Sequence, residues 1–597
     1  MFKHTLSLVA SATLVASLGA ETLTVDPIVV TATKTEQSLQ NVTSNVEIIT
    51  SEQIQERHFS TIAEALNTLP GISTTSNGGV GQLDSLFIRG IDSKRILIVI
   101  DGIRYNEPAG LSGAPLAQLS VNDIERIEVI KGAQSGIWGA DASGGVVNII
   151  TKTAQKGLTA KAGVKYGSFN TQSYTATLSN KTDQGYIKIN ANRFDTDGFS
   201  AFEAKKSSPN YGKRGNELGL EKDGSTNNTY NIQGGINLSN NDELSFSYKK
   251  IDAQYDYDSS TGDNLTNKSY LNHTFMSTNY THTSDSYKIK AYAQQSKFDR
   301  TQGTFNAKSM VNEFGLQTNI NYSENSELII GLNQQNFEYI NNALKYQTKG
   351  IFIANTNRFK DWLFSETFRY DDNSKFDQKA TGKLGAKYNF TKDLSLSSNY
   401  GTAYNAPTLS NLSYTATLRP ESTQSFDATI EYQGLKATYF ENKITDMINY
   451  SFIPSFHYFN EKGESKFNGY ELSYQTKIIK DTSLNVNYTQ LSAKNSLNQS
   501  LARRPKEQIG FGIDYYGIEN FHLNLNGSYI GSRYDKDNES GAQTGYYTVW
   551  NTVANYTINK TFQTYIKIDN IADKYYQTVD GYATSSRAYY VGLQASF

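Results

Sequence analysis

The last nine residues of the chain, 589–597, have the sequence YYVGLQASF, which alternates with the period of a β-strand. One face carries Tyr589, Val591, Leu593, Ala595 and Phe597, and the other carries Tyr590, Gly592, Gln594 and Ser596. An apolar face that ends in an aromatic residue suits a strand that meets lipid and stops at the membrane interface. Because an open sheet edge in lipid would leave backbone groups unpaired, this strand should pair with the first strand of a closed barrel.

The same alternation recurs upstream, from about residue 158 onward. It is found at residues 186–190 (YIKIN), 244–248 (LSFSY), 287–292 (YKIKAY), 394–398 (LSLSS) and 565–568 (YIKI). Clusters of turn-forming residues such as SNND at 239–242 separate these segments. Residues 154–597, at roughly 20 residues for a strand and its connection, predict about 22 strands. Such a barrel is wide enough that it must be plugged or leak.

Composition excludes several other classes of protein. Only 38% of the 597 residues are hydrophobic and mean hydropathy is −0.53, too low for a polytopic helical membrane protein, while 41 Tyr and 29 Phe argue against disorder. The absence of cysteine excludes Fe–S clusters, thiolate zinc sites and disulfides. A net charge of −2 argues against a nucleic-acid partner. No G-x-S-x-G, P-loop or H-E-x-x-H motif occurs, so we expect no enzyme.

The first 20 residues predict a secretory signal peptide. Lys3 and His4 precede an apolar stretch at residues 5–18, which is shorter than a membrane-spanning helix requires. Export, tyrosine richness and many strands together favour a bacterial outer-membrane β-barrel. Composition alone leaves an exported β-solenoid or propeller as the alternative.

Residues 37–153 have a different pattern and predict a compact domain that could fill the barrel. Thr61 and Glu64 fit a helix-capping box, and Pro70 and Gly71 end the short amphipathic helix that follows. Four β-branched runs, at residues 86–89, 96–100, 127–130 and 146–150, predict one small sheet. The domain boundary is expected near Lys152.

Four strings in this domain resemble the plug domain of TonB-dependent outer-membrane receptors. They are LFIRG at 86–90, VIDGIR at 99–104, IEVIKG at 127–132 and GADASGGVVNI at 139–149. The resemblance implies a 22-stranded antiparallel transmembrane β-barrel with a small N-terminal α/β plug in its lumen. It also implies an outer-membrane location, contact with outer-membrane lipids, and transport driven by the inner-membrane proton-motive force through the partner protein TonB. We expect a monomer.

Within the N-terminal segment 21–36, one stretch resembles the TonB box, the segment that pairs with TonB. It consists of Asp26, Pro27, Ile28, Val29, Val30, Thr31 and Ala32. A β-branched run near a free end can add as a strand to the edge of a partner's sheet.

Among members of the family, the cobalamin transporters are the most similar in the plug and in barrel stretches such as residues 369–374 and 533–537. This resemblance implies that cobalamin or a related corrinoid contacts Leu83, Ser85, Asp92, Leu111, Ser112 and Arg533. The family pattern has Asn where this chain has Asp92 and Val where it has Leu111.

Two acidic stretches, taken with the resemblance to the cobalamin transporters, imply calcium as a cofactor. The candidate ligands are Glu221, Asp223, Tyr255, Asp256, Asp258 and Asp263. Calcium takes 6 to 8 oxygen ligands on flexible loops, and the cobalamin transporters bind it at two acidic stretches in this part of the barrel. The alternative is that these are ordinary solvated loops.

Two other functions stay open. A ferric siderophore could be the cargo, which would predict outer loops rich in aromatic residues and arginine. A passive porin or adhesin is disfavoured by the plug strings, and haem import by the absence of a histidine near residues 404–412. The basic run at 503–506 is expected at lipid headgroups rather than at a ligand site.

Overall fold

The computed structural model describes residues 29–30, 34–110, 113–324 and 326–597. The predicted signal peptide, residues 1–20, lies outside the described residues. No helix within these ranges is long and apolar enough to cross a membrane.

The part of the chain before the barrel contains three sheets. Two of them belong to the N-terminal domain, and the third, with two strands, precedes it. Their strands are β1 (Val29–Val30), β2 (Gln37–Ser38), β3 (Val46–Thr50), β4 (Ile72–Ser76), β5 (Asp84–Ile88), β6 (Ile91–Asp92), β7 (Ile96–Ile100), β8 (Ile103–Arg104), β9 (Ile124–Lys131) and β10 (Gly145–Thr151). The sheets have the orders β3-β9-β10-β7-β8, β4-β5-β6 and β1-β2. The prediction of one sheet was therefore wrong for residues 86–89, because β5 pairs with β4 and β6 rather than with the β-branched strands β7, β9 and β10.

Three short helices complete this domain, and a fourth lies in a barrel loop. They are α1 (Ser51–Arg57), α2 (Ile62–Leu66), α3 (Ser135–Trp138) and α4 (Leu409–Tyr414). The predicted cap of α2 is present, since Thr61 Oγ1 accepts a hydrogen bond from the Glu64 N–H at 3.1 Å. Sequence reasoning missed α1, although Thr50 and Gln53 form a complete capping box there.

The rest of the chain forms strands β11 to β36. They are β11 (Gly157–Gly167), β12 (Thr171–Lys181), β13 (Gly185–Phe199), β14 (Asp223–Asn237), β15 (Asp242–Asp256), β16 (Lys268–Thr283), β17 (Tyr287–Gln302), β18 (Phe305–Ser323), β19 (Ser326–Tyr339), β20 (Leu344–Phe359), β21 (Trp362–Asn373), β22 (Lys379–Asn389), β23 (Leu394–Asn405), β24 (Glu421–Tyr432), β25 (Leu435–Thr445), β26 (Ile448–Ser451), β27 (His457–Asn460), β28 (Glu464–Ile479), β29 (Thr482–Lys494), β30 (Glu507–Ile518), β31 (Phe521–Ile530), β32 (Tyr534–Lys536), β33 (Ser540–Gln543), β34 (Tyr547–Thr557), β35 (Phe562–Asp569) and β36 (Ala588–Ser596).

Twenty-two of these strands form a closed antiparallel barrel, which confirms the predicted fold class. The hairpins β26–β27 and β32–β33 lie outside the barrel, in loops. As predicted, the last strand pairs with the first, with Val164 opposite Leu593. Closure leaves no sheet edge, so the backbone groups of each strand have partners on both sides.

Alternation along the strands explains the low mean hydropathy. Tyr589, Val591 and Leu593 are exposed on the outer face, where lipid would cover them, whereas Lys188 and Asn190 are buried on the inner face against the plug. About half of the residues of each strand therefore face the inside of the barrel and make polar contacts there.

The two ends of the barrel differ. One end, which we call the turn end, has short connections and holds Phe597. The other, the loop end, carries the long connections at 200–222, 257–267, 406–420, 446–463, 495–506, 531–546 and 570–587. Any site for a large ligand is accordingly expected at the loop end.

Candidate functional site

The plug meets the loop end through residues 77–83, which form part of the floor of a vestibule. Leu83 is 42% exposed there, and Ser85 lies half-buried in β5, opposite Thr75 of β4. Two of the predicted contact residues thus lie on the floor, with Leu83 available to a ligand. Leu111 and Ser112 lie outside the described residues.

Asp92, also predicted to contact substrate, is held by two arginines. Its carboxylate lies 2.7 Å from Arg95 Nη1 and 3.5 Å from Arg504 Nη2. Burial alone would raise its pKa, but Arg95, with Lys94 and Arg504, outweighs burial and holds the pKa of Asp92 at about 2. A permanently ionised Asp92 can accept hydrogen bonds and cannot donate them.

Cations and carboxylates lie close together on the floor. Arg95 also binds Glu421 of β24 through two hydrogen bonds of 2.8 and 2.6 Å. Lys94, Arg95 and Arg504 therefore face Asp92 and Glu421. Asp537 and Arg503 also act on Arg504, and Arg503 pairs with Asp535 at 2.9 Å, so cations and carboxylates are equal in number here. The expectation that the basic run lies at lipid headgroups was wrong for Arg504, whose guanidinium stacks 4.6 Å from the centre of the Phe87 ring of the plug.

Arg533 is 1% exposed and binds the loops around it. Its Nη2 lies 2.8 Å from the carbonyl oxygen of Thr544 and 3.4 Å from that of Gln577. This guanidinium joins the loops 531–546 and 570–587, so a direct contact with substrate, which the resemblance implies, would require these loops to rearrange.

An aromatic hairpin, β26–β27 with the residues between them, stands beside the vestibule and was not predicted. Its exposed rings, with α4, are Tyr414 (52%), Tyr450 (50%) and Phe452 (70%). Phe456 lies among them, with its ring centre 5.0 Å from that of Tyr414 and 5.3 Å from that of Phe452. The dense aromatic run SFIPSFHYF at 451–459 was the available sequence signal.

The aromatic hairpin is coupled to the plug. Tyr458 of β27, opposite Tyr450 of β26, is 4% exposed and belongs to an apolar cluster with Leu409 of α4 and Ala109 of the plug. The backbone N–H of Leu409 donates to the carbonyl oxygen of Pro108 at 2.9 Å. A ligand on the rings would therefore lie close to a plug loop.

Four of the predicted calcium ligands converge at the loop end. One carboxylate oxygen from each of Glu221, Asp258 and Asp263 lies within 4.8 Å of the others, and Asp223 is next to them. Both carboxylate oxygens of Glu221 and Oδ1 of Asp223 are buried without a hydrogen-bond partner. Orphaned buried oxygens at this spacing fit a hard divalent cation such as calcium.

The pKa of Glu221 also favours a cation at this site. Burial, with the neighbouring Asp258 and Asp263, raises the pKa of Glu221 to about 7. A bound cation would remove this repulsion.

The other two predicted ligands lie apart from this cluster. The Asp256 carboxylate pairs with Lys268 at 2.7 Å. Tyr255 is 8% exposed and packs in the apolar cluster shared by plug and barrel.

The predicted TonB box is described only at Val29 and Val30. Their backbones pair antiparallel with Ser38 and Gln37, respectively. Asp26, Pro27, Ile28, Thr31 and Ala32 lie outside the described residues. The central part of the box is thus a strand already paired with its own chain.

Comparisons with known proteins agree on the architecture. The family model described as "TonB dependent receptor-like, beta-barrel" matches residues 161–571, and that of the "TonB-dependent Receptor Plug Domain" matches residues 38–146. A mutant of the ferric enterobactin receptor (PfeA) from Pseudomonas aeruginosa is similar in structure, with a TM-score of 0.80 and 18% identity over 92% of this chain and 98% of that one. The siderophore receptors PirA (TM-score 0.77, 16% identity, 92% and 98% covered) and PiuA (0.76, 16%, 97% and 100%) from Acinetobacter baumannii are similar as well.

Proposed function

Because the chain belongs to the TonB-dependent receptor family and is a plugged barrel of the outer membrane, we propose that it imports a ferric siderophore. The loop end then faces the outside of the cell and the turn end faces the periplasm. Import is active, since the plug closes the lumen and must be remodelled through TonB.

The observation that carries this proposal is the aromatic hairpin next to the cations of the floor, where Arg95 Nη2 donates to the carbonyl oxygen of Ile448 at 3.3 Å. Exposed rings offer faces for stacking against an aromatic ligand, and the floor cations Lys94 and Arg504 attract an anion. Ferric catecholate complexes combine both properties. The structurally similar receptors named for siderophores support the same cargo class.

Ligand binding and release of the TonB box are thermodynamically linked. A ligand can release the TonB box only if it binds the released state more tightly than the resting one. A ligand above the floor would be connected to the plug in two ways. One is the hydrogen bond between Leu409 and Pro108, and the other is the set of ion pairs of Asp92.

We predict that replacing Phe452→Ser and Phe456→Ser together weakens binding of a ferric catecholate siderophore by tenfold or more. The loss of two stacking rings at roughly 0.5–1.5 kcal/mol each gives this magnitude. Equilibrium binding of ferric enterobactin to the purified receptor measures it. The control is Phe359→Ser, an exposed ring (66%) at the turn end, which should leave affinity unchanged. If the wild-type receptor does not bind ferric enterobactin, the siderophore proposal is wrong for catecholates.

Cobalamin is the second candidate, and the carboxylate cluster favours it. The cobalamin transporters bind calcium at two acidic stretches in this part of the barrel, and in this chain Glu221, Asp223, Asp258 and Asp263 would hold the ion. Equilibrium binding of cyanocobalamin, with calcium and then with a chelator, tests this cargo. Binding that weakens on chelation would favour cobalamin over a siderophore, and no binding in either condition would exclude it.

We predict that calcium raises the thermal stability of the receptor. At a calcium concentration 100 times Kd, binding to the folded state alone adds about 2.7 kcal/mol. The double substitution Glu221→Gln and Asp258→Asn should abolish the rise in Tm, because it removes two of the converging carboxylates. The control Asp256→Asn alters a carboxylate of the same region that pairs with Lys268 instead, and should keep the rise. An equal response in all three proteins would mean that calcium acts elsewhere.

A further inference from the structure

A narrow cleft separates the plug from one side of the barrel wall. On the plug it is lined by Gly81, Gln118 and Asn122, and on strands β11–β15 by Asn192, Ser225 and Asn227. Lys165 is the charged residue among those that line it. About 50 Å³ of the cleft is open to the centres of water molecules, which is room for a few waters and far too little for any cargo.

The cleft runs from the vestibule floor toward the periplasmic end of the wall. At its top, Gly81 has a φ of +95°, and a Cβ there would collide with the Ser225 side chain, so only glycine lets the plug loop approach this closely. Toward its base, Asn122 Nδ2 donates to Asn192 Oδ1 at 2.5 Å. Below them, Asp123 pairs with Lys188 at 2.5 Å.

The contacts across the cleft are hydrogen bonds and one ion pair. Asn227 Nδ2 donates to the Gln118 carbonyl oxygen at 2.9 Å, and Asn231 Nδ2 donates to Asp123 at 2.8 Å. The ion pair that bridges segment 115–123 of the plug to this wall is Asp123 with Lys188. Opening this side breaks neutral hydrogen bonds, which exchange for water at small net cost, and separates one buried pair of charges, Asp123 and Lys188.

The opposite wall, strands β24–β28, holds the plug by a buried charge network that we call the clamp. It consists of Arg89, Lys131 and Glu47 of the plug with Asp427, Lys436 and Glu471 of the barrel. Arg89 lies 3.0 Å from Glu471 and 3.4 Å from Asp427, and Lys436 lies 2.8 Å from Glu47. Arg89 and Lys131 are each 1% exposed, so separating the clamp would strand charges away from water.

We propose that cargo crosses the barrel along this cleft, which widens when plug segment 115–123 leaves strands β11–β15 while the clamp stays closed. Segment 115–123 is then the moving part of the plug and the clamp its fixed point. The inference rests on the proposed import function, because it assigns the route that imported cargo takes. The contacts that must break are the Asp123–Lys188 ion pair and the hydrogen bonds Asn122–Asn192, Asn227–Gln118 and Asn231–Asp123.

Because the chain has no cysteine, engineered thiols can test the route directly. Asn122→Cys with Asn192→Cys, joined by a short bifunctional thiol reagent, ties the cleft shut. The matched control, Glu47→Cys with Lys436→Cys, replaces an ion pair of the clamp by a covalent tether. Binding and TonB-dependent uptake of ferric enterobactin and of cyanocobalamin are measured before and after crosslinking.

The crosslink between Asn122→Cys and Asn192→Cys, the cleft tether, should reduce uptake to the level of cells without TonB. It should leave the affinity for cargo within twofold of that before crosslinking. The clamp tether should leave both unchanged. Uptake that survives the cleft tether, or that the clamp tether blocks equally, would overturn the proposed route. Failure of the untethered wild type to import either cargo would instead count against the proposed function.

A second measurement does not depend on cargo. Gln118 and Asn45 are both 4% exposed, the first at the cleft and the second beside the clamp. In the purified full-length receptor, Gln118→Cys should react with a thiol reagent at lower urea concentrations than Asn45→Cys, below the urea that unfolds the barrel. Equal reactivity, or earlier reaction of Asn45→Cys, would contradict the proposed fixed point.

Discussion

Replacing Val29→Pro should abolish TonB-dependent uptake while leaving cargo binding at the loop end intact. Strand addition requires backbone N–H groups, and proline removes one and fixes φ. Val29 and Val30 pair with Ser38 and Gln37 in the resting structure, so the segment can adopt the extended form that a partner's sheet edge would accept. Uptake of labelled cargo by intact cells, against binding to the same cells without an energy source, measures the effect.

The matched control for this prediction is Val29→Thr. Threonine keeps the N–H and the β-branched shape, so strand addition should persist and uptake should stay close to that of the wild type. Deleting residues 26–32 should reproduce the proline phenotype. Uptake that survives both the deletion and the proline would assign TonB pairing to another segment or favour a passive pore.

Replacing Arg89→Met should weaken docking of the plug in the barrel by about 3–5 kcal/mol, because it leaves buried carboxylates without their cation. Arg89 Nε and Nη2 reach the two oxygens of Glu471 at 3.1 and 3.0 Å, and its guanidinium also lies over the Phe440 ring. Lys131, 3.2 Å from Glu471, would remain as partial compensation. Urea titration followed by protease sensitivity of the plug, which separates plug release from barrel unfolding, measures the change.

Two variants make the second prediction specific. Arg193→Met removes an exposed arginine whose partner, Asp195, lies 2.6 Å away, and it should change stability by less than about 1 kcal/mol because solvent screens such pairs. Adding Glu471→Gln to Arg89→Met should recover part of the loss, since it removes one stranded charge. A release midpoint in Arg89→Met equal to that of Arg193→Met would mean that the clamp does not hold the plug.

The candidate site was only partly predictable, and particular residues show why. The acidic stretches and the glycine-containing plug loop carry local signals, and the structure brings Glu221, Asp258 and Asp263 together and exposes Leu83. The role of Arg533 was predicted from the resemblance to a family, and that of Arg504 from its place in a basic run. Whether a long guanidinium faces a ligand, a loop carbonyl or a plug ring depends on neighbours tens to hundreds of residues away, and the sequence gives no local sign of them.

The sequence by itself determined the fold class: strand alternation, the aromatic C-terminal strand and the plug strings depend on local period and composition, which short segments express independently. Only the tertiary structure decided the rest. It placed Arg89 beside Glu471, 382 positions later in the chain, and put the aromatic hairpin next to the plug. It also gave one side of the plug a clamp of six charges and the other a cleft bridged by a single ion pair. Such pairings are set by how the barrel closes and how the plug is oriented within it, and the residues of a single strand determine neither.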